Sequence, residues 1–157
     1  MQLDKLCVAC FSPTHTSMKI ARAIADGTHI ARREEIDLTT DPADTPIAVR
    51  NAICIVVAPV AVRRIARLRA ENSIAIPVVV YGNRDYEDAL VQLRDLLYAQ
   101  GFTPLCGAAF VGEHSYSRPG MPVAEGRLAE GRRFRGASLW QPVAPTEPAP
   151  PSGHGCT

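Results

Sequence analysis

Phe11-Ser12-Pro13-Thr14-His15-Thr16-Ser17 is the stretch on which the fold turns. In front of it, Leu3–Phe11 is short and apolar, broken only by Asp4 and Lys5, as a buried strand is. Behind it, Ile20, Ala21, Ile24 and Ala25 recur at helical spacing, and Gly27 offers a stop. A loop rich in hydroxyls between strand and helix is suited to an anion. The first N–H groups of the helix have no partner within it, and its dipole is positive at that end. One serine there reads as a helix cap. Ser12, Thr14, Thr16 and Ser17 together favour a phosphate ligand, with simple capping by Ser12 or Ser17 as the other reading.

Working outward, strand and helix signals alternate, which favours a parallel sheet. Glu34–Leu38 reads as a second, charged strand at a sheet edge. Thr39–Asn51 holds Pro42 and Pro46 and leaves room for only a short helix. Ala52–Ala58 (AICIVVA) is apolar throughout, the pattern of a parallel strand buried on both faces. Ile65–Glu71 reads as a short helix and Ile76–Tyr81 as a fourth strand. Asp85 suits the cap of the next helix, with Glu87 and Asp88 in its first turn. Tyr86, Leu90, Leu93 and Leu97 give that helix an apolar stripe, and Gly101 ends it. Thr103–Ala109 supplies a fifth strand. A last helix over Val123–Gly136 is broken by Gly126, Gly131 and Gly136, each costing about 1 kcal/mol relative to Ala. Residues 1–140 are thus expected to form one domain, and the proline-rich stretch 141–157 a disordered tail.

Ser12, Thr14 and Ser17 resemble the S/T-x-T-x-x-S/T phosphate loop of the flavodoxins and related FMN-binding domains. Val80-Tyr81-Gly82-Asn83-Arg84-Asp85-Tyr86-Glu87 is similar to the loop that this family places against the flavin ring. A looser match is Ala109-Phe110-Val111-Gly112-Glu113-His114-Ser115, like a segment after the last strand of ferredoxin-linked flavodoxin-like proteins. The resemblance covers about Leu3 to Arg127. It implies a doubly wound five-stranded parallel sheet in the order 2-1-3-4-5 with helices on both faces, and FMN as cofactor. It also implies a site of Ser12, Thr14, His15, Thr16 and Ser17, then Pro59, Val60 and Ala61, then Gly82, Asn83, Arg84 and Tyr86. Tyr86 would stack on the ring; the alternative is that it packs in the stripe with Leu90 and Leu93. Two positions depart from the family pattern. His15 stands where glycine is usual, and Ala58–Arg64 brings no aromatic residue to the flavin.

At 157 residues the chain is long enough for one real core. With 46% hydrophobic and 21% charged residues and a net charge of +1, its composition is ordinary for a soluble globular protein. That balance advertises neither a nucleic-acid nor a membrane partner. No apolar run approaches the roughly 20 residues of a membrane span, and the N-terminus lacks the plan of a signal peptide. A cytoplasmic location is the expectation.

Cys7 and Cys10 have CxxC spacing, but inside a strand they point to opposite faces, unlike a redox pair at a helix N-terminus. Cys54 and Cys106 read as small core residues. No four cysteines cluster, so no iron–sulfur module and no metal site are expected. No nucleophile–base constellation is visible, and neither GxGxxG nor GxxxxGK[ST] occurs. Two functions fit: an FMN domain that passes electrons to a redox partner protein, or a degenerate domain of the same fold that binds or assembles without catalysis.

Overall fold

In the computed structural model, residues 3, 5–40, 44–59, 62–82, 88–112 and 138–140 are described. Strand β1 (Lys5–Cys10) leads through the hydroxyl-rich loop into helix α1 (Thr16–Gly27), and β2 (Arg33–Asp37) follows. Then come β3 (Ile47–Arg50), β4 (Ala52–Ala58), the single-turn helix α2 (Val62–Ile65), β5 (Leu68–Glu71) and β6 (Ile74–Tyr81). Helix α3 (Ala89–Ala99), β7 (Thr103–Pro104), β8 (Gly107–Val111) and β9 (Ser138–Trp140) complete the order.

The main sheet runs β2-β1-β4-β6-β8-β9, with β7 also paired to β6. Every pairing in it is parallel except β8 with β9. The chain therefore winds outward from β1 to β2 on one side, then crosses back to β4, β6 and β8 on the other. The sheet has seven strands rather than five. The stretch read as one strand, Thr103–Ala109, is split into β7 and β8, and β9 adds an antiparallel edge. β2 forms the opposite edge and exposes Arg33, Glu34 and Glu35, charges that discourage further pairing.

Side chains alternate across the pleat and feed two cores. On one face Leu6, Val8, Cys10, Ile55, Val57, Val78 and Val80 meet Ile20, Ala21 and Ala25 of α1. On the other, Cys7, Ala9, Cys54, Val56 and Val79 meet Ile65 of α2 and Leu90, Leu93 and Leu97 of α3. Cys7 and Cys10 lie on opposite faces, as the strand period requires. Helix α1 ends at Gly27, but the left-handed turn beyond it falls on His29 (φ 56°). Helix α3 starts at Ala89 after Asp88, later than a cap at Asp85 implied; Asp85, Tyr86 and Glu87 lie outside the described residues.

Two short stretches read as helical are strands instead. Thr39–Asn51 contains β3 and Ile65–Glu71 contains β5, and the two pair in parallel as a separate sheet. Their register continues that of β4 and β6: in both ladders each residue faces the one 21 positions on. Both strands bend at the same level, at Asn51 (φ 47°) and Asn72 (φ 53°). The Asn72 amide donates to Asn51 Oδ1 at 2.7 Å. Beneath them buried Ser73 accepts from Ala52 N–H and donates to Val49 C=O, both at 3.1 Å. Asparagine tolerates this backbone better than other side chains with a Cβ. Asn72→Ala is expected to cost about 1 kcal/mol in urea unfolding, and Asn72→Gly about half of that.

The sequence predicts one domain over residues 1–140; residues 113–137 and 141–157, which hold the glycine-broken helix and the tail, lie outside the described residues. No helix among the described residues is long and apolar enough to cross a membrane.

Candidate functional site

Parallel strands end on one side of the sheet, so the loops after β1, β4 and β6 emerge side by side. The described candidates follow that rule. Ser12, Thr14, His15, Thr16 and Ser17 leave β1, Pro59 directly follows β4, and Gly82 directly follows β6. Val60, Ala61, Asn83, Arg84 and Tyr86 lie outside the described residues. The mouth falls between β1 and β4, where the winding reverses, and open α/β sheets bind ligands at such points.

The loop from Phe11 to His15 is tied down from several sides. Phe11 N–H donates to Val57 C=O at 3.0 Å, joining the loop to the end of β4. His15 N–H donates to Ser12 C=O at 3.1 Å, closing a tight turn. His15 is the residue before α1 and adopts φ 60°, ψ −4°, so the position where glycine is usual does carry a left-handed backbone. Its side chain makes no cap hydrogen bond and is exposed.

Ser12 is the cap in its place. Its Oγ accepts Met18 N–H at 3.0 Å, and its own N–H donates to Thr39 Oγ1 at 2.8 Å. Ser12 is only 3% exposed, and its N–H and an acceptor lone pair of its hydroxyl are engaged inside the protein. Ser12 thus acts as a cap by accepting Met18 N–H, while its O–H can still donate. The donors left in the loop are the N–H groups and hydroxyls of Thr14, Thr16 and Ser17, which have no hydrogen-bond partner among the described residues outside the helix itself. Ser17 as a residue is 4% exposed; the buried side-chain polar atoms without a partner among the described residues are those of the Gln100 amide, not the Ser17 hydroxyl. No acidic residue in the first turn of α1 offsets the positive end of the helix.

Three further residues shape this mouth. Thr39, just past β2, accepts Ser12 N–H; its own N–H donates to Asp37 Oδ1 at 2.8 Å. That bond, reinforced by the Thr39 and Thr40 hydroxyls, holds the Asp37 carboxyl below the usual carboxylate range. Arg64 reaches from α2 to donate to Leu38 C=O at 3.2 Å and Thr39 C=O at 3.4 Å. Gly112, after β8, donates its N–H to Tyr81 C=O at 2.7 Å. A Cβ on Gly112 would stand 2.9 Å from Val80 Cγ1 and 3.0 Å from Thr16 Cγ2. The end of β8 thus presses against the first residue of α1, and only glycine fits without displacement.

Cys10 and Cys54 offer no thiolate to this mouth. Burial, and next the Asp37 carboxylate, push the Cys10 thiol up to about 12. Contact with Cys7, its partner across β1 and β4, raises Cys54 as well, followed by burial. Among the described residues no three His, Cys, Asp or Glu side chains converge as a metal site.

Strand order and loop placement together define an open, doubly wound α/β domain with an anion-suited loop at its point of reversal. No family model matches the chain, and no curated protein matches it. Among solved structures it is similar to a flavodoxin of Streptococcus pneumonia TIGR4, at 16% sequence identity and a TM-score of 0.47. The match spans 69% of this chain and 83% of that one.

Proposed function

We propose that the chain is a flavodoxin-like FMN-binding module, passing electrons to a redox partner protein or serving as the flavin unit of a larger system. The observation that supports this most is the unpaired donor set of Thr14, Thr16 and Ser17 at the start of α1. A phosphate monoester carries several acceptor oxygens and two negative charges, and this set supplies N–H groups, hydroxyls and a helix dipole to meet them. The donor chemistry fits the group.

Bound FMN supplies the one- and two-electron chemistry. The chain's own work is to bind and orient. Thr14, Thr16 and Ser17 hold the phosphate, Ser12 keeps the loop in shape, and the segments beginning at Pro59 and Gly82 meet the ring. Tyr86 is the residue proposed to stack on it. FMN is expected to bind at least tenfold more tightly than riboflavin, read by quenching of flavin fluorescence in parallel titrations. Equal affinities would overturn the phosphate-binding role of the loop.

A second reading is a degenerate domain that binds or assembles without a flavin. The absence of an aromatic residue from Ala58–Arg64 favours it. On that reading the purified protein is colourless and neither flavin titrates.

A further inference from the structure

The sequence assigns no role to Thr39, yet its three polar groups are all engaged around one point. Its N–H is taken by Asp37, its C=O by Arg64, and its Oγ1 by the N–H of Ser12. Ser12 in turn holds Met18 N–H, the third amide of α1. A continuous chain of hydrogen bonds therefore runs from the segment after β4, through the end of β2, to the first turn of α1. Each link fixes the next. Arg64 and Asp37 set the backbone of Thr39, the Thr39 hydroxyl sets Ser12, and Ser12 sets the register of the helix start.

The donors that this chain leaves unused are those of Thr14, Thr16 and Ser17. Ser17 and Thr16 stand in the first turn of α1, beside the Met18 amide that Ser12 holds. Ser12 holds the loop to the helix start, so the placing of Thr14, Thr16 and Ser17 depends on it.

We infer that Thr39, braced by Arg64, is a positioning residue for the phosphate-binding loop, acting through Ser12 on the donors of Thr16 and Ser17. This rests on the FMN reading above. Without the Thr39 acceptor, Ser12 N–H is buried and unpaired, and the loop shifts to reach water or another acceptor. The helix donors then lose their common aim at the phosphate. The Thr39 hydroxyl bonds Ser12 N–H and the Asp37 carboxylate, so its loss is expected to act on the phosphate loop first.

The test compares the full-length protein with Thr39→Val, which removes the acceptor at nearly the same volume, and with Thr39→Ser, which keeps it. Affinities for FMN and riboflavin are measured in parallel, and exchange of the Ser12 amide is followed by NMR without flavin. Thr39→Val is expected to weaken FMN binding at least tenfold and riboflavin binding less than twofold. It should also speed Ser12 exchange at least tenfold, and Thr39→Ser should restore all three towards wild type. Equal losses for both flavins, or unchanged Ser12 exchange, would show that Thr39 only supports the fold or makes no such bond. A wild-type preference for FMN that Thr39→Val retains removes the positioning role and leaves the FMN reading standing. A wild-type protein indifferent between the flavins removes the FMN reading, and the positioning role falls with it.

Discussion

Replacing Phe102 by Ala is expected to remove about 3–5 kcal/mol of stability, the range for deleting a buried aromatic side chain. Phe102 is 2% exposed and among the largest fully buried side chains of the protein. Its position is set by the way α3 ends. Gly101 takes φ 89°, its N–H donates to Tyr98 C=O at 3.0 Å, and Phe102 N–H donates to Leu97 C=O at 3.1 Å. This is the Schellman arrangement, in which the residue after the glycine packs back on the last turn. Phe102 and Leu97 accordingly share one core cluster with Leu68, Leu90 and Leu93. A Cβ on Gly101 would stand 3.0 Å from Ala70 C=O, so the turn has little room to relax into the vacated space.

Urea unfolding is the measurement. A lower midpoint at unchanged slope would mark a loss of packing, not a change in the denatured chain. Phe102→Leu, which refills much of the volume, is expected to cost well under half as much. A loss below about 1 kcal/mol for Phe102→Ala would mean that the site collapses freely and that α3 is not held to β5 through this ring.

The same region shows what can be read from local pattern and what cannot. Ala52–Ala58 was legible as a central strand because burial on both faces leaves seven apolar residues in a row. The stripe Leu90, Leu93, Leu97 and the stop at Gly101 were legible because a helix and its end are written in adjacent residues. β3 and β5 were not. Four residues are too few for a period to declare itself, and each strand exists because the other lies beside it. The paired bends at Asn51 and Asn72 belong to the same tertiary event. The hydroxyl loop was legible for the reason that α3 was: its residues are contiguous. Thr39 lies 27 positions from Ser12, and only the pairing of β1 with β2, Cys10 opposite Asp37, brings the two together. Arg64 arrives from α2. That Ser12 accepts Met18 N–H becomes visible only when the loop is folded.

Ser17→Ala is expected to move binding and stability in opposite directions. Ser17 is 4% exposed, sits in the first turn of α1, and has a hydroxyl with no partner among the described residues. A hydroxyl serving only the fold would be missed on removal. One without such a bond is not, and alanine is the better helix former by about 0.5 kcal/mol. The flavin-free protein should therefore be as stable as wild type or more stable by about 0.5–1 kcal/mol. Toward FMN the sign reverses. A hydrogen bond from this hydroxyl to a phosphate oxygen is charge-assisted and shielded from water, and its loss should weaken FMN binding by about 1.5–3 kcal/mol, roughly 10- to 150-fold. Riboflavin has no phosphate to lose, so its affinity should stay within about twofold. Thermal unfolding without flavin and fluorescence titration with both flavins read the two effects separately. Lower stability with unchanged FMN affinity would return Ser17 to the helix as a structural residue. Higher stability with weaker FMN binding is the signature of a side chain kept for a ligand at a cost to the fold, the compromise that binding sites impose on otherwise consistent sequences.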